Sequence, residues 1–255
     1  MIIKNENNSK LQEYRNYKVF KANELIQKSR FNLQMQEQKI ILYLISKIKP
    51  EDMELKEHLF EIQDFCNLCG LDSESGGNYA YIKKTLKDLR DKSIWITLDD
   101  GSEAVLAWLD TVIVNKDSGT VKLKISEMMK PYLLFLKERY TQYELLYTLA
   151  MKSQYSLRLY ELLKSYEYQR TRTFDIEDLK LRLSAENYKR FPDFKRYVLD
   201  RAIEEINTLS DLDVTYTIIK ESRRFAKIEF TMMIIKDINK RLKTWSNIEK
   251  IIGVK

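Results

Sequence analysis

The chain is 255 residues long, 44% hydrophobic and 32% charged, with a formal net charge of +6 and a pI near 9.0. At about 150 residues per domain this length accommodates two medium domains, each able to bury a core beneath a heavily charged surface. Six glycines and three prolines leave little room for long loops, disordered linkers or a turn-rich sandwich, and the positive balance points to a polyanionic partner.

In chain order, the opening MIIKNENNSK is polar, with no apolar stretch behind a basic start, and no run of about 18 apolar residues follows it. A cytoplasmic location without membrane contact is the expectation. From Phe31, FNLQMQEQKIILYLISKIKP sets Leu33, Ile40, Ile41, Leu44, Ile45 and Ile48 at helical spacing and closes at Pro50, which predicts an amphipathic helix. HLFEI reads as a short strand, QDFCNLCGL as a helix ending near Gly70, and SESGGN as a turn. YAYIKKTLKDLRDK reads as a further helix with Ile82, Leu86 and Leu89 on one stripe. SIWITL, AVLAWLDTVIVN and TVKLKIS are rich in β-branched and aromatic residues and read as strands, separated by the turns DDGSE and NKDSGT.

In the second half, TQYE offers a capping box of Thr141 and Glu144, and YSLRLYELLKSY supplies a long helix carrying Leu157, Tyr160, Leu163 and Tyr166. RTFDI reads as a strand. Asp175 is placed to cap the helix IEDLKLRLS and Pro192 to open the next one, whose stripe is Leu199, Ile203 and Ile206. VTYTII and FAKIEFTMMII then pair across KESRR.

The halves repeat one another. LFEIQDFCNLCGL returns as TFDIEDLKLRLSA, with Phe60, Ile62, Asp64, Phe65 and Cys69 falling on Phe174, Ile176, Asp178, Leu179 and Leu183 at a shift of 114 positions. The stripe of the following helix repeats at a shift of 117. The expectation is a helix-rich α+β chain of two tandem winged helix-turn-helix domains related by internal duplication, over 1–130 and 131–255. In such a unit the third helix fits the DNA major groove and the hairpin, or wing, tracks an adjacent backbone. A pair of helical modules that binds protein rather than DNA is the competing reading of the same pattern.

With the apolar stripes turned inward, the outer face of the first of these helices carries Lys83, Lys84 and Lys87, with Asn78 and Tyr81 near its start. In the second copy Lys189 and Arg190 precede the helix, Lys195 and Arg196 lie in its first turns, and Tyr197 and Arg201 project outward. The wing adds Lys220, Arg223, Arg224 and Lys227. Lysines neutralise phosphates, and arginine is the side chain best shaped for the two acceptors of guanine, so the second domain is expected to be the main sequence reader. The plain alternative is a solvated helix face, interrupted as it is by Asp88, Asp91, Asp200, Glu204 and Glu205.

Catalytic chemistry finds no support. None of the six glycines is followed by lysine, so there is no P-loop, and one histidine, His58, cannot supply a histidine pair to hold a metal beside a tyrosine nucleophile. Asp99 and Asp100 sit in a turn, Cys66 and Cys69 read as small core residues at helical spacing, and SESGGN, which could cradle a phosphate, reads first as a turn. No enzyme, metal or cofactor is expected.

The segments VFKANELIQKSRFNLQMQEQKIILYLI, FEIQDFCNLCGL, YTQYELLYTLAMKSQYSLRLYELLKSY and FPDFKRYVLDRAIEEINTLSDLDVTY, with the arginine pair after the last, resemble the iteron-binding plasmid replication initiators. The resemblance covers about residues 17–236 and leaves the tail DINKRLKTWSNIEKIIGVK aside, where Lys240, Arg241 and Lys243 read first as a solvated helix, with phosphate contact as the alternative. It implies a bacterial plasmid protein that binds direct repeats in double-stranded DNA at its origin as a monomer. It also implies a homodimer, formed through the first domain, that binds an inverted repeat and represses its own gene. Contacts with host initiator and replicative helicase proteins follow from the same resemblance, as do groove-entering helices at Tyr79–Lys92 and Asp193–Asn207. The strand AVLAWLDTVIV, by its length and Trp108, offers an edge for such a dimer, although packing on its own core is the first reading for most of its residues. A dedicated transcriptional repressor of the same fold would use the same DNA contacts.

Overall fold

The computed structural model describes residues 17–49, 52–69 and 76–252, which fall into two compact units, one of Tyr17–Leu145 and one from Leu146 onward. Among these residues no helix is long and apolar enough to cross a membrane.

The first unit opens with β1 (Lys18–Ala22) and α1 (Asn23–Gln27), followed by the two-residue strand β2 (Ser29–Arg30). Its central helix is α2 (Met35–Ser46). The Gln34 backbone N–H donates to Glu37 Oε2 at 2.6 Å, and Lys92 reaches the same buried carboxylate at 2.7 Å. This helix differs from the amphipathic one expected: every residue from Glu37 to Ser46 is buried, and Tyr43, on the face the spacing left for solvent, packs against Phe60 and Phe65. Strand β3 (Glu57–Glu61) leads into α3 (Ile62–Cys69), and α4 (Gly76–Asp91) follows. Ile82, Leu86 and Leu89 are wholly buried, worth about 1.5–3 kcal/mol apiece relative to exposure, and this fixes which face of α4 points outward.

Four strands follow. β4 (Ser93–Thr97) and β5 (Glu103–Ala107) form a hairpin that pairs with β2, and its turn uses Gly101 at φ +85°. β6 (Leu109–Asn115) and β7 (Thr120–Ile125) form a second hairpin that pairs with β3 in the order β3-β7-β6. Asn115 Oδ1 accepts from the Asp117 and Ser118 backbone N–H groups in its turn. AVLAWLDTVIVN is therefore two strands rather than one. It breaks at Trp108, whose buried ring meets Phe31 edge-on at 5.1 Å. A short helix α5 (Lys130–Leu133) and β8 (Tyr140–Glu144) close the unit, with β8 antiparallel to β1. TQYE thus lies in a strand, not in a helix cap: its backbone is taken by the β1 ladder, and Thr141 Oγ1 donates to Asn23 Oδ1 at 2.6 Å. The same ladder holds β8 in the first unit although it lies beyond the sequence-based division at 130/131.

The second unit takes up the chain within α6 (Leu145–Ala150) and continues with α7 (Gln154–Lys164), β9 (Thr171–Asp175) and α8 (Ile176–Arg182). Asp175 stands at the N-cap of α8 but its side chain makes no capping hydrogen bond. Then α9 (Phe191–Phe194), with Pro192 in its first turn, runs through a π-helical segment, Lys195–Asp200, into α10 (Arg201–Leu209). The wing is β10 (Leu212–Glu221) and β11 (Arg224–Ile234), and α11 (Ile238–Ile252) ends the described chain.

Both units carry the same sheet. In each, the strand before the second helix pairs with the second wing strand, β3-β7-β6 in one and β9-β11-β10 in the other. Phe60 faces Val121 across its ladder as Phe174 faces Ile228, and all four are buried, as are Ile62 and Phe65 with their counterparts Ile176 and Leu179. The duplication legible in the sequence is a duplication of topology; among the described residues the β4–β5 hairpin has no counterpart in the second unit.

Candidate nucleic-acid interface

In the first unit the outward face of α4 presents Tyr81, Lys83, Lys84 and Lys87 to solvent. Lys87 Nζ pairs with Asp91 Oδ2 at 2.7 Å, four residues on, a fully exposed contact that a phosphate oxygen can displace. Asn78 lies in α4, but its side chain is outside the described residues, as are residues 70–75.

In the second unit the π-helical segment reshapes the reading helix. An i→i+5 turn widens the helix, so both Val198 and Leu199 point into the core, followed by Ala202, Ile206 and Leu209. Ile203, expected on the buried stripe, is consequently half-exposed. Arg196, Tyr197 and Arg201 are left on the outer face, with the Arg196 guanidinium 5.3 Å from the centre of the Tyr197 ring. Lys189 and Arg190 are exposed just before the helix, and Arg190 lies 3.7 Å from Asp193. Arg201 is only loosely held by Glu205, at 3.9 Å, because the second oxygen of Glu205 accepts from the backbone N–H groups of Lys152 and Ser153.

Three contacts tie this helix to its wing. Near its start, Phe191 stacks on Phe225 with centroids 4.4 Å apart. In the middle, the Tyr216 hydroxyl donates to Asp200 Oδ1 at 2.5 Å, and Lys195 Nζ lies 2.8 Å from the other oxygen of Asp200 and 5.9 Å from the centre of the Tyr216 ring. At its end, the Asn207 amide exchanges two hydrogen bonds with the backbone of Val214, at 2.7 and 2.9 Å. Burial works against the Asp200 carboxylate, yet the bonds from Lys195 and Tyr216 outweigh it and hold its pKa below 3.8. Lys195 is raised above 10.5, first by Asp200 and then by Tyr216, and Tyr216 is raised by burial and by its bond to Asp200.

At the wing tip Ser222 adopts a left-handed conformation, φ 58°, in a two-residue turn that leaves Arg223 and Arg224 exposed. Lys227 pairs with Glu221 at 2.8 Å, and Lys220 sits 4.9 Å above the Phe225 ring. Of the residues singled out in the sequence, Lys195, Arg196, Tyr197, Arg201, Lys220, Arg223, Arg224 and Lys227 thus belong to one braced helix and wing, preceded by Lys189 and Arg190. Phe191, Phe225 and Tyr216 escape the sequence reading as braces, and Asp200 reads there only as an interruption of the basic face. An aromatic residue at a wing tip and another at a helix start are visible in a sequence, but their contact is not. Among the described residues no three His, Cys, Asp or Glu side chains gather as a metal site; Cys66 is buried in the core, and the side chain of Cys69 is outside the described residues.

Residues 18–164 match the family described as Initiator Replication protein, WH1, and residues 175–232 match Initiator Rep protein, WH2. The chain belongs to the replication initiator family. An Escherichia coli "Replication initiation protein" is 30% identical over 206 residues, which cover 76% of this chain and 63% of that protein. The "PI protein" of Escherichia coli is 28% identical over 148 residues, covering 51% of this chain and 48% of its own length. The chain therefore spans less than two thirds of the length of either relative. A crystal structure of Pi initiator protein in complex with iteron DNA has the same fold, with a TM-score of 0.70 at 24% identity over 88% of this chain and 99% of that one. The fold class expected from the sequence, two tandem winged-helix domains, is the fold of this family.

Proposed function

We propose that this chain initiates replication of a plasmid by binding direct repeats in the double-stranded DNA of its origin, each unit laying its third helix in a major groove. The observation that carries this reading is the braced helix and wing of the second unit, where Arg196 and Arg201 share a helix tied at three points to a wing ending in Arg223 and Arg224. Arginine on a rigid helix suits base edges, and basic side chains on a hairpin suit a neighbouring phosphate backbone. The first unit, with Lys83, Lys84 and Lys87, contributes mainly phosphate contacts. Family membership and the relatives' names support the same reading.

On this reading the chain also forms a homodimer that represses its own gene, in equilibrium with the monomer that binds the repeats. The second hairpin of the first unit supports it: its first strand, β6, is an edge strand in the order β3-β7-β6, and Ile113 on it is exposed. Trp108, by contrast, packs into its own core. A charge at Val112 or Val114 should abolish the dimer in sedimentation, and a dimer that survives both refutes that edge. Host initiator and replicative helicase proteins are the partners expected at the opened origin. No metal, nucleotide or catalytic residue of this chain enters the reading, which places it in the cytoplasm of a bacterium.

Hydroxyl-radical footprinting on the DNA flanking the gene tests the proposal. Protection in two patches about one helical turn apart in each repeat is expected, with permanganate-reactive thymines appearing in an adjacent A·T-rich segment. Protection without reactive thymines assigns the chain to repression alone. No protected repeat removes the proposal.

A further inference from the structure

The middle brace of the second unit does more than hold two elements together. Asp200 is an acidic residue on a reading helix whose outer face carries Lys195, Arg196, Tyr197 and Arg201, with Glu204 one turn further on, and a carboxylate facing a phosphate backbone lowers affinity. Its placement is nevertheless built. The π-helical segment ends at Asp200, and both its oxygens are engaged, one by the Tyr216 hydroxyl at 2.5 Å and the other by Lys195 Nζ at 2.8 Å. Lys195 also faces the Tyr216 ring. A cation that would otherwise swing on four methylenes is pinned between helix and wing, and its charge is offset where it stands. The corresponding helix of the first unit is a plain α-helix without a π segment, and its Lys87–Asp91 pair involves no wing residue.

We propose that Asp200 is a specificity-determining residue: by clamping Lys195 and Tyr216 it removes a mobile, sequence-blind phosphate contact and keeps the reading helix at one angle to its wing. This rests on the reading of the second unit as a DNA reader. Removing the carboxylate frees Lys195 for any phosphate, strengthening binding to every duplex alike, while the loosened helix no longer holds the register that base readout requires.

The test is a fluorescence anisotropy titration of the full chain and its Asp200→Asn and Tyr216→Phe variants, with the repeats flanking the gene and a scrambled duplex, over a salt series. For Asp200→Asn, affinity for the scrambled duplex should rise about threefold to tenfold, the ratio between repeat and scrambled duplex should fall at least about tenfold, and the salt slope on the scrambled duplex should steepen by about one unit, one further phosphate being neutralised. In a Lys195→Met background the same substitution should leave the slope unchanged. Tyr216→Phe removes one hydroxyl and no charge, so it tests the clamp even where Asp200→Asn folds poorly, and should lower the ratio without altering the slope. An unchanged ratio in both variants, or parallel weakening on both duplexes with unchanged slopes, overturns the proposal. A parent chain with no preference between the duplexes overturns the DNA-reading account as well, which separates the two failures.

Discussion

The rings of Phe191, at the start of the second unit's reading helix, and Phe225, in its wing, lie 4.4 Å apart at 26° to one another. One residue after a wing arginine and one after Arg190, they set the distance between two basic groups that would otherwise move independently. Such a pair contributes about 0.5–1.5 kcal/mol beyond its buried area, and about 1.4 kcal/mol is a factor of ten in affinity. Phe225→Ala should therefore weaken repeat binding roughly threefold to tenfold, and Phe225→Leu less, as anisotropy would report. An unaffected Kd for Phe225→Ala would mean that the wing tip makes no contribution to binding.

Beneath the helix, Lys164 is buried between Asp211, at 2.6 Å, and Glu167, while the Tyr160 hydroxyl donates to the other oxygen of Asp211. Lys164→Met strands a mostly buried carboxylate and should destabilise the second unit by about 2–4 kcal/mol in urea unfolding. Burial alone would lower the pKa of Lys164, but Asp211 and Glu167 outweigh it and raise it above 10.5. The folded state therefore holds this proton more tightly than the unfolded chain. The contribution is complete below 10.5 and is lost as pH rises through the folded value, so the gap between parent and Lys164→Met should narrow only in strong alkali.

His58 supplies a probe of the first unit near neutral pH. Burial is the main cause that holds its imidazole below 6.5; Asp52 opposes the shift, and Lys47 and Lys56 add to it. As pH falls through 6.5 the unfolded chain takes up the proton first, so the neutral folded form loses stability over the window between 6.5 and its own lower pKa. Being the single histidine, it gives one assignable titration by proton NMR, with a midpoint expected below 6.5. His58→Phe should flatten the dependence of stability on pH in that window. A midpoint at or above 6.5 would contradict the burial argument.

The two units should divide their labour in a way that salt dependence reveals. Lys83→Met with Lys84→Met should weaken repeat and scrambled duplex together and make the salt slope shallower by about two units, one for each phosphate no longer neutralised. Arg196→Gln should instead cost about 1–3 kcal/mol on the repeat and little on the scrambled duplex. Equal weakening on both duplexes for Arg196→Gln would move that residue to the backbone-contacting set.

Much of this arrangement was legible in the amino-acid order because periodicity and burial agree there. Phe60 and Phe174, Ile62 and Ile176, and Phe65 and Leu179 recur at one offset, and each pair is buried at an equivalent place in its unit. The failures have a common cause in long-range pairing and local widening that spacing alone does not carry. TQYE has the spacing of a cap but is claimed by β1, about 120 residues earlier, whose ladder exceeds anything local capping offers. AVLAWLDTVIVN is rich in β-branched and aromatic residues throughout, yet its two ends pair in different sheets. Ile203 leaves the stripe because of the wide turn, which helical spacing at 3.6 residues does not anticipate. The basic faces of both helices could be read from helical geometry alone, whereas Tyr216, sixteen residues from Asp200 and on another element, could not.

The most direct test of the account is the affinity of the full chain for the repeats flanking its gene against a scrambled duplex of the same length, by fluorescence anisotropy at near-physiological salt. A preference of about a thousandfold or more, with affinity falling as salt rises, is the predicted result. Equal, weak binding to both duplexes would contradict it, leaving the helix, wing and braces of the second unit as a surface for some partner other than DNA.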